Sequence, residues 1–250
     1  MNGPDAASYL NRMVSNDVEA LDVGASCEAL LLSPKARIIV PMVVWRRGHE
    51  DFLLLTEPEA GARLARELLR SRFAAKCAIA QEEHRSVVVL GATDVSGIAN
   101  RDYGVTAVEL VDMDPPTDAA AIGADELERL RILARTPRLG RELDDRVMPA
   151  EAGLAERAVS FTKGCYPGQE PVARLHYRGH PNRGLRVLAI EGEALPEYDS
   201  EVTLDGKVVG RVTSVAPDSE YGVVALAYVR REVPAEATLD LAGRSARQLG

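Results

Sequence analysis

Apolar side chains recur at three- and four-residue spacing in three stretches, and each predicts a helix. Behind Pro4, which suits a first helical position, Ala6, Tyr9, Leu10 and Met13 share one face. Leu64, Leu68 and Leu69 form a second stripe, opened by a capping-box pattern of Thr56 and Glu59 around Pro58. Leu127, Leu130 and Leu133 form a third within Glu126 to Arg135. The stretch Asp94 to Tyr103 reads as a further short helix. Apolar runs bounded by turn residues predict strands at Leu30 to Leu32, Arg37 to Trp45, Phe52 to Leu55, Ser86 to Leu90 and Thr106 to Leu110. Gly91 to Gly97 reads as a turn. Strands and helices mixed in this way predict an α+β domain.

The pattern changes near residue 182. Leu185 to Ile190, Val202 to Leu204, Lys207 to Val215, Val223 to Val229 and Thr238 to Leu241 read as short strands with no helix between them. Asp205-Gly206 is the strongest hairpin signal in the chain. About 65 residues of this kind predict a small antiparallel β-barrel or sandwich. Two domains are therefore expected, 1–181 and 182–250.

Composition excludes several classes. The chain has 250 residues, 46% hydrophobic and 27% charged, with a formal net charge of −8. These are globular values. The longest apolar run, Ile38 to Trp45, contains Pro41 and falls far short of the roughly 20 residues of a membrane helix. The opening Met1-Asn2-Gly3-Pro4-Asp5 has no signal-peptide pattern. An acidic chain is a poor generic binder of nucleic acid. The three cysteines, Cys27, Cys77 and Cys165, form no C-x-x-C, and no His pair has metal-ligand spacing. Neither a disulfide framework nor a structural zinc is expected, and free thiols fit the cytoplasm.

One segment carries unusual chemistry. Lys163-Gly164-Cys165-Tyr166-Pro167-Gly168-Gln169-Glu170 leads to Arg174, His176, Arg178, His180 and Arg183. Two glycines and a proline this close predict a shaped loop. From Lys163 to Arg186, five Lys/Arg stand against one Asp/Glu, a local balance of +4 in a chain of −8. Lys163, two residues from Cys165, is placed to favour a thiolate. A Cys165 pair with His176 or His180 would be a nucleophile and base. The plain alternative is a glycine-rich turn with a solvated basic face and an idle cysteine. Glu142, Asp144 and Asp145 read as a charged surface loop rather than a metal cluster. Both common phosphate-loop patterns are missing.

Lys163 to Glu170 resembles the K-G-C-Y-x-G-Q-E signature of the YgfZ family, folate-binding proteins related to the glycine-cleavage T-protein (aminomethyltransferase). Further matches run along the chain: Gly3-Pro4-Asp5-Ala6, Ser15-Asn16-Asp17-Val18, Leu32 to Arg37, Pro149 to Leu154, and Gly210 to Ser214. The resemblance implies a T-protein-like folate-binding domain followed by a β-barrel. It implies tetrahydrofolate or a derivative as cofactor, and a role in assembling or repairing iron–sulfur proteins, including one that thiolates tRNA. Its required cysteine falls on Cys165, with Lys163, Gly164, Tyr166, Gly168, Gln169 and Glu170 shaping the loop. Asn16, Asp17, Arg174, Arg178 and Arg183 are the candidate folate contacts. Iron–sulfur enzymes or assembly factors are the expected partners, without direct nucleic acid or membrane contact, for a cytoplasmic monomer. Folate-dependent aminomethyl transfer is the alternative. Against it, Val40 and Pro41 occupy the positions of the T-protein's acidic pair, and Leu133 that of a pterin-binding glutamate. The resemblance also implies a strand ahead of Gly3 that this sequence lacks.

Overall fold

The computed structural model describes residues 1–91 and 94–250; the turn expected over Gly91 to Gly97 includes Ala92 and Thr93, which lie outside them. The element order is α1 (Ala6–Met13), β1 (Ser26–Leu32), β2 (Ile38–Gly48), β3 (Asp51–Leu55), α2 (Pro58–Ser71), β4 (Ser86–Leu90), β5 (Ile98–Asn100), β6 (Ala107–Val111), α3 (Ala124–Leu133), α4 (Ala155–Ala158), α5 (Gln169–Arg178), then β7 (Arg183–Ile190), β8 (Glu201–Leu204), β9 (Lys207–Asp218), β10 (Gly222–Arg230), β11 (Thr238–Leu241) and β12 (Arg244–Leu249). Among the described residues no helix is long and apolar enough to cross a membrane.

The chain forms two compact units. The first joins 1–85 with 143–150 and 154–180; the second joins 86–142 with 151–153 and 181–250. In the first, β1, β2 and β3 make an antiparallel sheet with β2 in the centre. Ile38, Val40, Met42 and Val44 alternate inward along β2 and are buried, the period-two pattern of a one-sided sheet. Removing such side chains from water contributes about 1.5–3 kcal/mol each. Tyr9 and Leu10 of α1 and Leu64 and Leu68 of α2 are buried as their spacing predicts. The capping box does not form. Thr56 Oγ1 donates instead to Pro41 O at 2.8 Å, and Glu57 is the residue that precedes α2.

In the second unit, β6 pairs with both β4 and β5 in a three-stranded antiparallel sheet. The helix expected over Asp94 to Tyr103 is absent; Ile98–Asn100 is β5, an edge strand on β6. Ile98 is the one member of β5 that is buried, so there is no helical stripe to bury. The remaining strands close an antiparallel barrel in the order β10-β7-β12-β11-β8-β9. Val223, Ala225, Ala227 and Val229 point into its core with Ile190, Val212 and Ala246. At the β8–β9 hairpin, Asp205 and Gly206 both have positive φ (51° and 73°), as the tight primed turn requires. The last strand, β12, escapes the apolar pattern because Arg-Ser-Ala-Arg-Gln is polar, yet Ala242 and Gly243 (φ 55° and 80°) turn it back onto β11.

A buried ionic cluster fixes α3 in this unit. Arg131 donates to Glu128 Oε1 at 2.7 Å, Glu142 Oε2 at 3.2 Å and Thr136 O. Glu142 also accepts from Arg138 N (3.0 Å) and Ser214 Oγ (2.7 Å), and its carbonyl accepts from Tyr228 Oη (3.0 Å). Glu142 is 1% exposed, so it is no part of a solvated acidic loop. Asp144 is taken by Arg146 at 2.5 Å, and no group of metal-ligating side chains occurs among the described residues.

Candidate functional site

The Lys163–Glu170 segment lies wholly in the first unit and is held at both ends. At its start, the Lys163 ammonium donates to Asn11 O (2.5 Å), Val14 O (2.9 Å) and Asn16 O (2.7 Å). These carbonyls lie in the last turn of α1 and just beyond it, where helical carbonyls lack partners and cations are favoured. All three ammonium hydrogens are used. Lys163 is buried, and that burial pushes its amine down to about 8, opposed by Asp17, Cys27 and Glu19. The ammonium also sits over the Tyr166 ring, 5.4 Å from its centroid.

The α1 exit is itself tied to the sheet. Ser15 Oγ accepts from Leu30 N at 2.8 Å and donates to Ala158 O at 2.6 Å. Asn16 Nδ2 donates to Glu28 O at 2.7 Å, while its Oδ1 accepts from Asp17 N. Arg157 of α4 reaches Glu28 at 2.6 Å. Lys163 thus fastens its loop to a segment already anchored on β1.

At the other end, Gly168 has φ +83°, and a Cβ there would stand 2.6 Å from Ser33 O and 3.0 Å from the Ala36 Cα. Only glycine allows this approach. The facing turn is built by Ser33: its N–H donates to Arg37 O at 2.9 Å, and its Oγ accepts from Arg37 N at 3.0 Å. Two motifs noted separately in the sequence, Leu32 to Arg37 and the cysteine loop, are therefore packed against each other. Helix α5 then starts at Gln169, with Pro171 in its first turn, where a missing N–H costs little.

Between the clamps, Tyr166 is buried while Gly164 and Cys165 are exposed. The thiol hydrogen-bonds to neither histidine; His176 instead stacks on Phe161 at 3.8 Å. A Cys–His dyad is thus not formed. The Lys163 ammonium is turned into its carbonyls, and the thiol it acts on is Cys27. Burial pushes Cys27 up to about 12, with Lys163 opposing, so Cys27 stays protonated at neutral pH. Cys77 is buried.

Of the candidate folate contacts, Asn16 and Asp17 lie beside Lys163. Asn16 has both amide atoms engaged, and Asp17 gives one oxygen to Ala20 N at 3.2 Å. Arg174 and Arg178 lie one turn apart on α5, exposed, with no ion pair among the described residues. Glu170 is exposed in the first turn of the same helix. Arg183 belongs to the other unit, where it lies 3.5 Å from Glu151 and covers the Tyr228 ring. The pattern did not single out Ser15, whose hydroxyl organises the α1 exit, nor Phe161, whose ring carries His176. Val40 is fully buried and Pro41 follows it on β2, so no carboxylate stands there.

Comparisons with known proteins bear on the fold and on the relatives of the chain. The tRNA-modifying protein YgfZ of Edwardsiella ictaluri is 26% identical over 281 residues, spanning 96% of this chain and 83% of its own. An aminomethyltransferase of Streptomyces avermitilis is 23% identical, spanning 92% of this chain and 74% of its own. The crystal structure of the glycine cleavage system aminomethyltransferase T from Bartonella henselae superposes with a TM-score of 0.81 at 18% identity, covering 99% of this chain and 81% of that one. That likeness establishes the fold, mixed helix and sheet with a closed antiparallel barrel. No protein-family model matches the chain.

Proposed function

The chain is YgfZ-like and related to the glycine-cleavage T-protein, and from that premise we propose that it is a tetrahydrofolate-binding protein that supports the assembly or repair of iron–sulfur proteins. The cysteine of its clamped loop is the functional group. The observation that carries this reading is the loop itself. Lys163 on the α1 carbonyls and Gly168 on the Ser33–Ala36 turn hold the backbone on either side of Cys165 and leave the thiol exposed. Holding a reactive group from both ends lowers the ordering cost of each encounter with a partner.

The residues of the first unit fit a folate at its acidic end. Arg174 and Arg178, with no ion pair among the described residues, supply two guanidinium groups for glutamate carboxylates. Asp17 supplies a carboxylate oxygen for a pterin N–H edge. Bound tetrahydrofolate would supply a carrier for one-carbon units. The chain's own part is to orient that ligand and to hold Cys165 where a client protein reaches it. Arg183, engaged with Glu151 in the other unit, is left out of this assignment. A division at residues 181/182 into a folate domain and a barrel domain, a cytoplasmic location, a monomeric state and partners among iron–sulfur enzymes belong to the same proposal.

Aminomethyl transfer is the second reading, favoured by the relatives of that name. The buried Val40 and the imide nitrogen of Pro41 provide no ionisable group for that chemistry. Complementation separates the readings. In a deletion strain, wild type restores iron–sulfur enzyme activity and Cys165→Ala does not. Equal rescue by Cys165→Ala removes the thiol from the account. Formation of methylenetetrahydrofolate from an aminomethyl donor favours the transferase.

A further inference from the structure

The outer side of α2 and the turn that follows it carry a feature that the cysteine loop does not use. The helix buries Ala60, Leu64 and Leu68 in its own unit. On the opposite side, at 100° per residue, Leu69, Arg66 and Arg70 fall within an arc of about 100°, and all three are exposed. Two residues past the end of the helix stands Phe73, 91% exposed and with φ 44°. Glycine or asparagine is the usual residue where a helix ends in a left-handed turn, and a bulky side chain there is strained. Phe73 therefore neither relaxes its backbone nor buries its ring. Folding does not ask for a strained, uncovered aromatic, and such an outlier points to a contact with something else.

The surroundings are cationic. From Ala60 to Lys76, five Lys/Arg stand against one Asp/Glu, a balance of +4 in a chain of −8. Among the described residues, the Arg66 guanidinium and the Lys76 ammonium have no partner. Arg70 reaches Glu67 at 3.7 Å, with its side chain 78% exposed. Arg72 donates to Cys77 O at 2.9 Å. Arg12, at the end of α1, joins them. Tyr9 donates to Leu68 O at 2.5 Å, and Arg72 and Arg12 both oppose the burial that pushes this hydroxyl up to about 12. The acids of this region are Glu67, Asp5, whose carboxylate accepts from Lys76 N at 2.7 Å, and Glu59 in the first turn of α2.

A ring this exposed has no wall of its own protein around it, so the feature is a knob rather than a groove. Cations at helical spacing beside one apolar knob suit a soft surface of diffuse negative charge. The ring enters the apolar layer, and the long arginine and lysine stems keep their charges at the headgroups. One aromatic is a weak anchor alone, and a cationic cluster supplies the second signal that stable contact needs. A protein partner would have to bring both a pocket and the acids. A second copy meeting this face through its own would set two cationic clusters against each other. A nucleic acid would need more cations than these on a chain of −8. We propose that the end of α2 is a peripheral membrane contact. Phe73 and Leu69 enter an anionic phospholipid surface, and Arg66, Arg70 and Lys76 pair with its headgroups. The expectation of no membrane contact rests on the lack of a spanning segment, and contact from one side needs no span. Nothing in this contact depends on folate binding.

The test sediments the full chain with vesicles of phosphatidylcholine carrying about 30% phosphatidylglycerol at low salt. Wild type is expected to partition onto them at least about tenfold more than onto pure phosphatidylcholine, and to be released at about 0.5 M salt. Phe73→Gly weakens partition about fivefold or more, and Arg66→Gln/Arg70→Gln about tenfold. Phe73→Gly also keeps or raises the unfolding midpoint, since glycine suits a φ of 44°. A lower midpoint would show the ring to be packed in the fold and overturn the proposal. So would equal partition of wild type and both variants, or no partition at about millimolar lipid. Other occupants show themselves in parallel measurements. A mass that doubles with concentration in wild type and not in Phe73→Gly assigns the knob to a second copy. Phe73-dependent binding of an alternating glutamate–leucine peptide, or of an oligouridylate, without vesicle binding assigns it to a protein or a nucleic acid. Each of these results overturns the membrane contact.

Discussion

Replacing Lys163 by methionine keeps the length of the side chain and removes its three hydrogen bonds. The bond to Val14 O is buried, and those to Asn11 O and Asn16 O are partly buried. A hydrogen bond from a charged group contributes about 1.5–3 kcal/mol when buried, and water recovers roughly half of that at the partly buried pair, for a total of about 4–5 kcal/mol. The variant is relieved of burying an ammonium, which offsets about 2 kcal/mol. The net loss expected is about 2–3 kcal/mol. Trp45, the chain's single tryptophan, lies on β2 in the same unit, so its fluorescence reports that unit by itself. With a urea slope of about 1–3 kcal/mol per molar, the midpoint should fall by roughly 1 M or more. The pH dependence gives a second check. Burial pushes the Lys163 amine from 10.5 down to about 8. Between those values the unfolded chain binds the proton and the folded one does not, so stability rises with pH through that window. The methionine variant lacks this rise. A urea midpoint for Lys163→Met within about 0.2 M of wild type, with the same pH profile, would refute the clamp.

Further outcomes follow from the same geometry. Gly168→Ala adds a Cβ at 2.6 Å from Ser33 O in a backbone of φ +83° and should cost about 2–4 kcal/mol by the same fluorescence assay; a neutral result would mean that the loop does not dock on the turn. Glu142→Leu strips Arg131 of its most deeply buried partner and leaves Arg138 N and Ser214 Oγ without an acceptor. It should destabilise the second unit by about 3–5 kcal/mol, read by proteolysis of the barrel. Arg47 holds the Glu82 carboxyl down at about 2 through hydrogen bonds, helped by His84. That contribution is present above pH 4.5 and is lost as pH falls towards 2, so Arg47→Ala should flatten the acid limb of the first unit's unfolding curve.

The folded elements that a one-dimensional pattern reveals are those with apolar alternation or a stripe of their own. The central strand β2, the inward set of β10 and the Asp205-Gly206 hairpin are of that kind. Helix α5 is not. Its sequence is polar except for Val172, Ala173 and Leu175, and Pro171 with the flanking glycines resembles a loop until its place after the Gly168 clamp is known. Thr56 and Glu59 satisfy a local capping rule, but the Thr56 hydroxyl finds Pro41 O, 15 residues back. Glu142 reads as a solvated acid because its partners Arg131 and Ser214 are 11 and 72 residues away. For the cysteine loop, glycine and proline spacing reveals irregular backbone. It does not reveal that Lys163 turns away from Cys165 into carbonyls 147 to 152 residues earlier.

The central claim is a folate site beside a clamped, exposed thiol. Its most direct test is anaerobic calorimetric titration of the purified chain with tetrahydrofolate, run in parallel on Cys165→Ala. The account predicts saturable binding near one ligand per chain in both proteins, with the thiol needed only for the later step with a client. No heat of binding at about millimolar tetrahydrofolate, an affinity weaker than about −4 kcal/mol, would contradict it and leave a YgfZ-like fold acting through protein contacts alone.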